Sequence, residues 1–210
     1  IAAMDEYVIG SGLDLAPDIP TIIPDKNATR DARRLVASLL GPISVVNLFA
    51  VDEKRRWPVE AAIETIRQLA VGGGSFILNA GPDAAEAHWQ ALACWHSACK
   101  ADKRIRPDQL VDSLGAGAGM ERDVALYHLA DRYIGVDSFT ANLAINCNLP
   151  AVILFAKAGD RLAYRAIVEA VIPATDGDLG TVVDTDVLSA ARRLAARLDK
   201  APAKDQPLPV

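Results

Sequence analysis

The feature of this sequence that most constrains its fold is the alternation of short β-branched runs with helical segments. Residues 43–49 (ISVVNLF) have the length of a strand and are apolar on both faces, which is typical of a buried strand in a parallel sheet. Residues 75–79, 133–136 and 151–155 have the same character. Strands that alternate with helices form βαβ units, so the pattern predicts the α/β class with a Rossmann-like, doubly wound parallel sheet.

Helical periodicity and helix-end signals predict the segments that separate these strands. Gly41 and Pro42 end the first predicted helix, and Pro58 suits the first turn of the second because the missing N–H is not needed there. The predicted helices cover residues 30–40, 58–69, 82–100, 121–131, 141–147 and 187–198.

Charge and cysteine content exclude several classes of protein. The 22 basic and 27 acidic side chains give a net charge of −5, which argues against a nucleic-acid-binding protein because phosphate neutralisation requires a basic face. Three cysteines are an odd number in a chain too large to need disulfides, which favours a reduced, cytoplasmic location. The longest apolar runs are too short to span a bilayer.

Ligands of parallel sheets bind at the carboxyl ends of the strands, where loops meet helix N-termini. The predicted order of elements places four loops there, at residues 50–57, 80–83, 137–140 and 156–161. Binding residues are therefore expected in these four loops.

The loop at 50–57 is basic. Lys54, Arg55 and Arg56 lie between a buried strand and the start of a helix, where helix N–H groups already favour an anion. Arginine adds a planar fork that matches phosphate oxygens, so the loop could hold a diphosphate. The alternative is a solvated basic turn paired with Asp52 and Glu53.

Two other loops carry polar residues at a strand-to-helix turn. Asp137 could accept a sugar or ribose hydroxyl, while Ser138 and Thr140 could either cap the helix or donate to phosphate. Simple N-capping explains the same residues. Gly81 and Asp83 also have two interpretations. They could form a simple tight turn that leads into a helix, or a turn on which a ligand binds.

A metal site receives little support from the sequence. His88, Cys94, His96 and Cys99 lie on one predicted helix, but their spacing does not place a recognised ligand set on one face. We expect ordinary helix packing there and no metal. Cys147 has apolar neighbours and is expected to be inert.

Five short motifs follow one another in order between residues 43 and 160. The first strand leads into Lys-Arg-Arg-Trp-Pro at 54–58, and the second leads into Gly-Pro-Asp at 81–83. A third strand leads into Asp-Ser-Phe at 137–139, followed by Asn-Leu-Ala-Ile at 142–145 and a strand at 150–155. Together these motifs resemble the C-terminal half of family 9 glycosyltransferases, the group that contains the ADP-heptose:lipopolysaccharide heptosyltransferases.

The resemblance implies one half of a GT-B architecture, in which two Rossmann-like domains face one cleft. Residues 42–200 would form the donor-binding domain, residues 1–41 the interdomain connection and leading helix, and residues 201–210 a tail. The implied function is binding of a nucleotide-diphosphate sugar such as ADP-heptose for an inverting, heptosyltransferase-like transfer to lipopolysaccharide or another glycan. The acceptor site and the catalytic carboxylate are expected in an N-terminal domain that this chain lacks, so the chain alone is expected to be inactive.

The resemblance also implies a set of donor-binding residues and no cofactor or metal. Lys54 and Arg55 would face the diphosphate, Asp137 the sugar hydroxyls, and Met120 the base. The backbone of the 138–139 turn would lie near the phosphates. The complete implied set is Lys54, Arg55, Gly81, Asp83, Met120, Asp137, Ser138, Phe139, Thr140 and Asn142. The protein is expected in the cytoplasm, with at most peripheral contact at the inner face of the membrane.

Two substitutions in this site keep other functions open. Phe139 replaces the turn glycine of the family, and Asn142 replaces a histidine. They favour, as the alternative, a catalytically inactive glycosyltransferase-like scaffold or subunit. An unrelated Rossmann-like nucleotide-binding enzyme has less support, because the sequence contains no dinucleotide fingerprint and no phosphate loop.

Overall fold

A computed structural model describes residues 22–79, 85–114, 119–157, 167–173 and 177–198. Within these residues, six strands form one sheet in the order β3-β2-β1-β4-β5-β6, and every neighbouring pair is parallel. The strands are β1 (Ile43–Asn47), β2 (Ser75–Leu78), β3 (Leu110–Asp112), β4 (Arg132–Val136), β5 (Ala151–Leu154) and β6 (Val168–Val171). The predicted α/β class with a doubly wound parallel sheet is confirmed.

Helices cover both faces of this sheet. They are α1 (Lys26–Val36), α2 (Val59–Val71), α3 (Ala85–Ala101), α4 (Met120–Leu129), α5 (Phe139–Asn146) and α6 (Asp184–Leu198). A 3₁₀ turn, Glu53–Arg55, lies in the loop between β1 and α2.

The sheet separates two apolar layers. Helices α2, α3 and α6 bury residues such as Ile66, Trp95 and Leu194 on one face. On the other face, α1, α4 and α5 bury Ala32, Leu126 and Ala144. Each fully buried large apolar side chain contributes roughly 1.5–3 kcal/mol, so the two layers together fix the strands against the helices.

Several boundaries differ from the sequence prediction. Helix α1 begins four residues earlier than predicted because the Asp25 carboxylate caps it, accepting from the N–H groups of Asn27 and Ala28. Helix α5 begins at Phe139 rather than at 141. The edge strands β3 and β6 were not predicted, and each is short and contains an acidic residue. The predicted tail and most of the predicted extended segment at 7–24 lie outside the described residues.

The strand order determines where a ligand can bind. From β1 the chain proceeds outward to β2 and β3, and it then returns to β4 on the other side of β1. This reversal opens a crevice between the carboxyl ends of β1 and β4, the usual binding position in doubly wound sheets. Gly135 allows the two strands to approach there, since a Cβ at this residue would lie 2.4 Å from the carbonyl oxygen of Asn47.

Candidate functional site

Asn47 connects the two loops that border this crevice. Its amide nitrogen lies 2.7 Å from Thr140 Oγ1, 3.0 Å from Ser138 Oγ and 3.1 Å from the carbonyl oxygen of Phe49. Its Oδ1 accepts from the Phe49 N–H at 3.1 Å. The side chain is almost fully buried, so it fixes the start of the β1 loop against the turn after β4. Sequence analysis missed Asn47, although an asparagine at the end of an apolar strand was the available signal.

The hydroxyl groups of the turn after β4 are directed toward this asparagine. Ser138 Oγ and Thr140 Oγ1 lie 2.7 Å apart, and Thr140 Oγ1 also contacts the Tyr133 hydroxyl at 3.1 Å. Burial raises the pKa of Tyr133 to about 12, so this hydroxyl stays protonated. Ser138 occupies the N-cap position of α5, but among the described residues its side chain makes no capping hydrogen bond. The hydroxyls therefore organise the turn instead of capping the helix.

The first turn of α5 faces the same crevice. Phe139 is the first residue of the helix and is 68% exposed. Asn142, one turn later, donates from its amide to the carbonyl oxygen of Ser138 at 3.0 Å. The N–H groups of a first helical turn have no partner within the helix and carry a partial positive charge, so they favour a bound anion.

An ion pair crosses the crevice from the β1 loop to the β4 loop. Arg55 Nη2 donates to the backbone carbonyl of Asp137 at 2.7 Å and to its carboxylate at 2.5 Å. The side chain of Arg55 is 40% exposed, whereas that of Asp137 is 19% exposed. Two residues that sequence analysis selected separately are therefore brought together at the crevice.

The remainder of the basic loop is partly self-paired. Arg56 donates to the carbonyl oxygen of Ala50 at 2.9 Å and contacts Glu53 at 3.4 Å. Asp52 accepts from the backbone N–H of Lys54 at 3.1 Å, while the Lys54 side chain is exposed. Arg56 thus behaves as expected for a solvated basic turn that is paired within itself, whereas Arg55 contacts the opposite loop.

A second asparagine, Asn79 at the end of β2, connects this strand to α4 and to the residue after β3. Asn79 donates to Asp123 Oδ1 at 3.1 Å and to Ser113 Oγ at 3.2 Å, and its Oδ1 accepts from the Tyr127 hydroxyl at 3.2 Å. The first turn of α4, including the exposed residue Met120, is thereby placed at the same edge of the sheet. The other residues selected in this region, Gly81 and Asp83, lie outside the described residues.

The histidines and cysteines of α3 do not come together as a metal site. Over the described part of the chain, there is no group of three or more His, Cys, Asp or Glu residues that could hold a metal ion. His88 is instead buried with its Nε2 2.5 Å from Asp112 Oδ1. Cys147 is buried, and its burial raises the pKa of the thiol to about 11.

Solved structures that the chain resembles in fold include glycosyltransferases. The chain aligns with E. coli ADP-heptose LPS heptosyltransferase II at a TM-score of 0.69 and 17% identity, over 86% of this chain and 54% of that one. It aligns with a family 9 glycosyltransferase of Veillonella parvula at 0.67 and 15% identity, over 84% and 54% of the two chains. The chain has a heptosyltransferase-like fold. E. coli heptosyltransferase WaaC, in complex with ADP-2-deoxy-2-fluoro heptose, matches at 0.56 and 16% identity, over 77% and 47%.

The heptosyltransferase-like fold is established by structure alone. The sequence matches no protein-family model and no curated protein. The chain spans about half the length of the solved structures that it matches. In the described ranges, no helix is both long enough and apolar enough to cross a membrane.

Proposed function

We propose that this chain is the donor-binding part of an inverting, heptosyltransferase-like glycosyltransferase and binds a nucleotide-diphosphate sugar. The observation that carries the proposal is the Arg55–Asp137 pair, which crosses the crevice where the strand order reverses. Nucleotides bind at this position in doubly wound sheets. The heptosyltransferase-like fold supports the same ligand class, since one matched structure is a complex with ADP and another with an ADP-heptose analogue.

The chemistry follows from the charges at the crevice. When the sugar is transferred, negative charge accumulates on the departing nucleoside diphosphate, and cations placed beforehand lower the barrier to this step. Arg55, exposed Lys54 and the first turn of α5 would supply that positive potential. Both contacts of Arg55 to Asp137 use Nη2, so phosphate oxygens can bind at Nε and Nη1 while the pair persists.

The remaining parts of the site are assigned on the family resemblance. Asp137 would accept a sugar hydroxyl, and Met120 would contact the base. Asn142 and the backbone of the 138–140 turn would border the phosphates. A second domain would bind the acceptor, lipopolysaccharide or another glycan, and would supply the catalytic base. The reaction would take place in the cytoplasm, with at most peripheral membrane contact.

Calorimetric titration with ADP, with UDP and GDP alongside, tests this proposal. We expect saturable binding of ADP, weakened about 10- to 100-fold in Arg55→Ala, because a charge-assisted hydrogen bond contributes roughly 1.5–3 kcal/mol. Arg56→Ala is the matched control, since it removes the same charge from the same loop but not from the crevice.

Equal ADP affinity in the two variants would refute the assignment of the diphosphate to Arg55. Failure of all three nucleotides to bind at millimolar concentration would refute the donor site itself. That result would favour the alternative function, a catalytically inactive scaffold with the same fold.

A further inference from the structure

The most unusual charge in the described residues is the buried guanidinium of Arg122. This residue lies in the first turn of α4 and is only 8% exposed. Its Nε and Nη1 atoms are buried and have no hydrogen-bond partner in the described parts of the chain. A buried charge is costly unless it is paired and hydrogen-bonded, so a partner for these two nitrogen atoms would lower the free energy of the folded state.

The acidic residues next to Arg122 do not supply that partner. Among the described residues, neither Glu121 nor Asp123 forms an ion pair with it, and Glu121 is exposed. The carboxylate of Asp123 instead accepts from Asn79 at 3.1 Å. Burial raises the pKa of Asp123, and the positive charge of Arg122 opposes part of this rise.

The position of Arg122 adds a second source of positive potential. Helix α4 is ten residues long, and its N-cap residue, Gly119, has no side chain with which to cap the first turn. Arg122 therefore belongs to the turn that carries the partial positive charge of the helix N-terminus. The Asp123–Asn79 bond fixes this turn above the carboxyl end of β2, one strand away from β1 and the Arg55–Asp137 pair.

We infer that Arg122 and the first turn of α4 form a second oxyanion subsite, which takes a phosphate or carboxylate group of a small-molecule ligand. Phosphate and carboxylate oxygens accept charge-assisted hydrogen bonds from guanidinium N–H groups, so either group can satisfy the Nε and Nη1 donors of Arg122. The subsite is separate from the Arg55 loop and does not depend on that loop binding a diphosphate.

Anion-dependent thermal stability tests the subsite. The full chain carrying Arg55→Ala, which removes the other proposed phosphate site, is melted in inorganic phosphate, in acetate and in chloride at equal ionic strength. We expect a saturable rise in Tm in phosphate, in acetate or in both, relative to chloride, because a ligand that binds only the folded state stabilises it. Comparison of the two anions distinguishes a phosphate-bearing ligand from a carboxylate-bearing one.

The variant Arg55→Ala/Arg122→Met keeps the length of the side chain but removes its charge, and we expect it to lose the anion-dependent rise. In chloride, its Tm should equal or exceed that of Arg55→Ala, because an unpaired buried charge has been removed. Arg122→Lys in the same background should retain a smaller rise and covers the case in which the methionine variant does not fold. An equal rise in the methionine variant, or no rise in either anion in Arg55→Ala, would overturn the inference. If Arg55→Ala/Arg122→Met has a Tm lower than that of Arg55→Ala by the same amount in all three salts, the inference is also overturned, because Arg122 would then act only in packing.

Discussion

Replacing Asn47 with alanine removes the side chain that joins the two loops of the candidate site. Asn47→Ala deprives the Phe49 N–H of its acceptor and the Phe49 carbonyl of a donor, and both bonds are buried. Ser138 and Thr140 can still bond to each other across 2.7 Å. Each buried group left unsatisfied costs about 1–3 kcal/mol, so two such groups give an expected loss of about 2–6 kcal/mol in the free energy of unfolding.

Urea unfolding followed by circular dichroism measures this loss, and calorimetry measures ADP binding in the same samples. We expect ADP affinity to fall together with stability, because the turn at 138–140 is no longer fixed to β1. For the stability measurement, Asn142→Ala is the matched control, since it removes the same side chain from an exposed position with one bond to the Ser138 carbonyl. A loss below about 0.5 kcal/mol for Asn47→Ala, the range of ordinary surface substitutions, would refute the reasoning.

Three further predictions test other parts of the structure. Gly135→Ala should lower the free energy of unfolding, measured by urea titration, by about 1–3 kcal/mol or more. The reason is that the alanine Cβ would lie 2.4 Å from the carbonyl oxygen of Asn47. An unchanged free energy of unfolding would contradict the close approach of β1 and β4. At pH 8, the half-buried Cys94 should react with a thiol reagent before Cys147, whose thiol is buried with a pKa of about 11; peptide mass mapping that finds Cys147 labelled first would contradict this order. Burial raises the pKa of Asp123 in the folded state, so the contribution of Asp123 to stability falls as the pH rises from its unfolded-state pKa to its folded-state pKa. Across that interval, Asp123→Asn should gain stability relative to wild type. A difference in stability between the two proteins that does not depend on pH would contradict the raised pKa.

The central strands could be predicted from sequence, whereas the edge strands could not. Residues of β1, β2 and β5 form apolar runs because both faces of those strands are buried. Strand β3 has three residues, and β6 carries Glu169 in contact with arginines of α6. An edge strand needs less apolar surface, so neither its length nor its composition distinguishes it from a loop.

The candidate site shows the same division between local and tertiary information. Loops at strand ends, with Lys54, Arg55 and Asp137, could be selected because charge and turn chemistry are local properties. The pairing of Arg55 with Asp137 depends on β1 lying beside β4. This strand order cannot be predicted from a local sequence pattern. Asn47 was missed because its partners in the opposite loop, Ser138 and Thr140, lie more than 90 positions away.

The position of β4 beside β1 also bears on the order in which the protein can fold during synthesis. Arg55 and Asp137 are 82 positions apart, and β1, β2 and β3 are complete before residue 132 leaves the ribosome. Until then, one edge of β1 has no strand to pair with, and an unpaired apolar edge is a template for intermolecular association. Closing so long a segment is entropically costly and slow. The nascent chain should therefore need protection of this edge for as long as β4 is missing, and the ability to bind a ligand at the crevice should arise only after β4 and α5 have emerged.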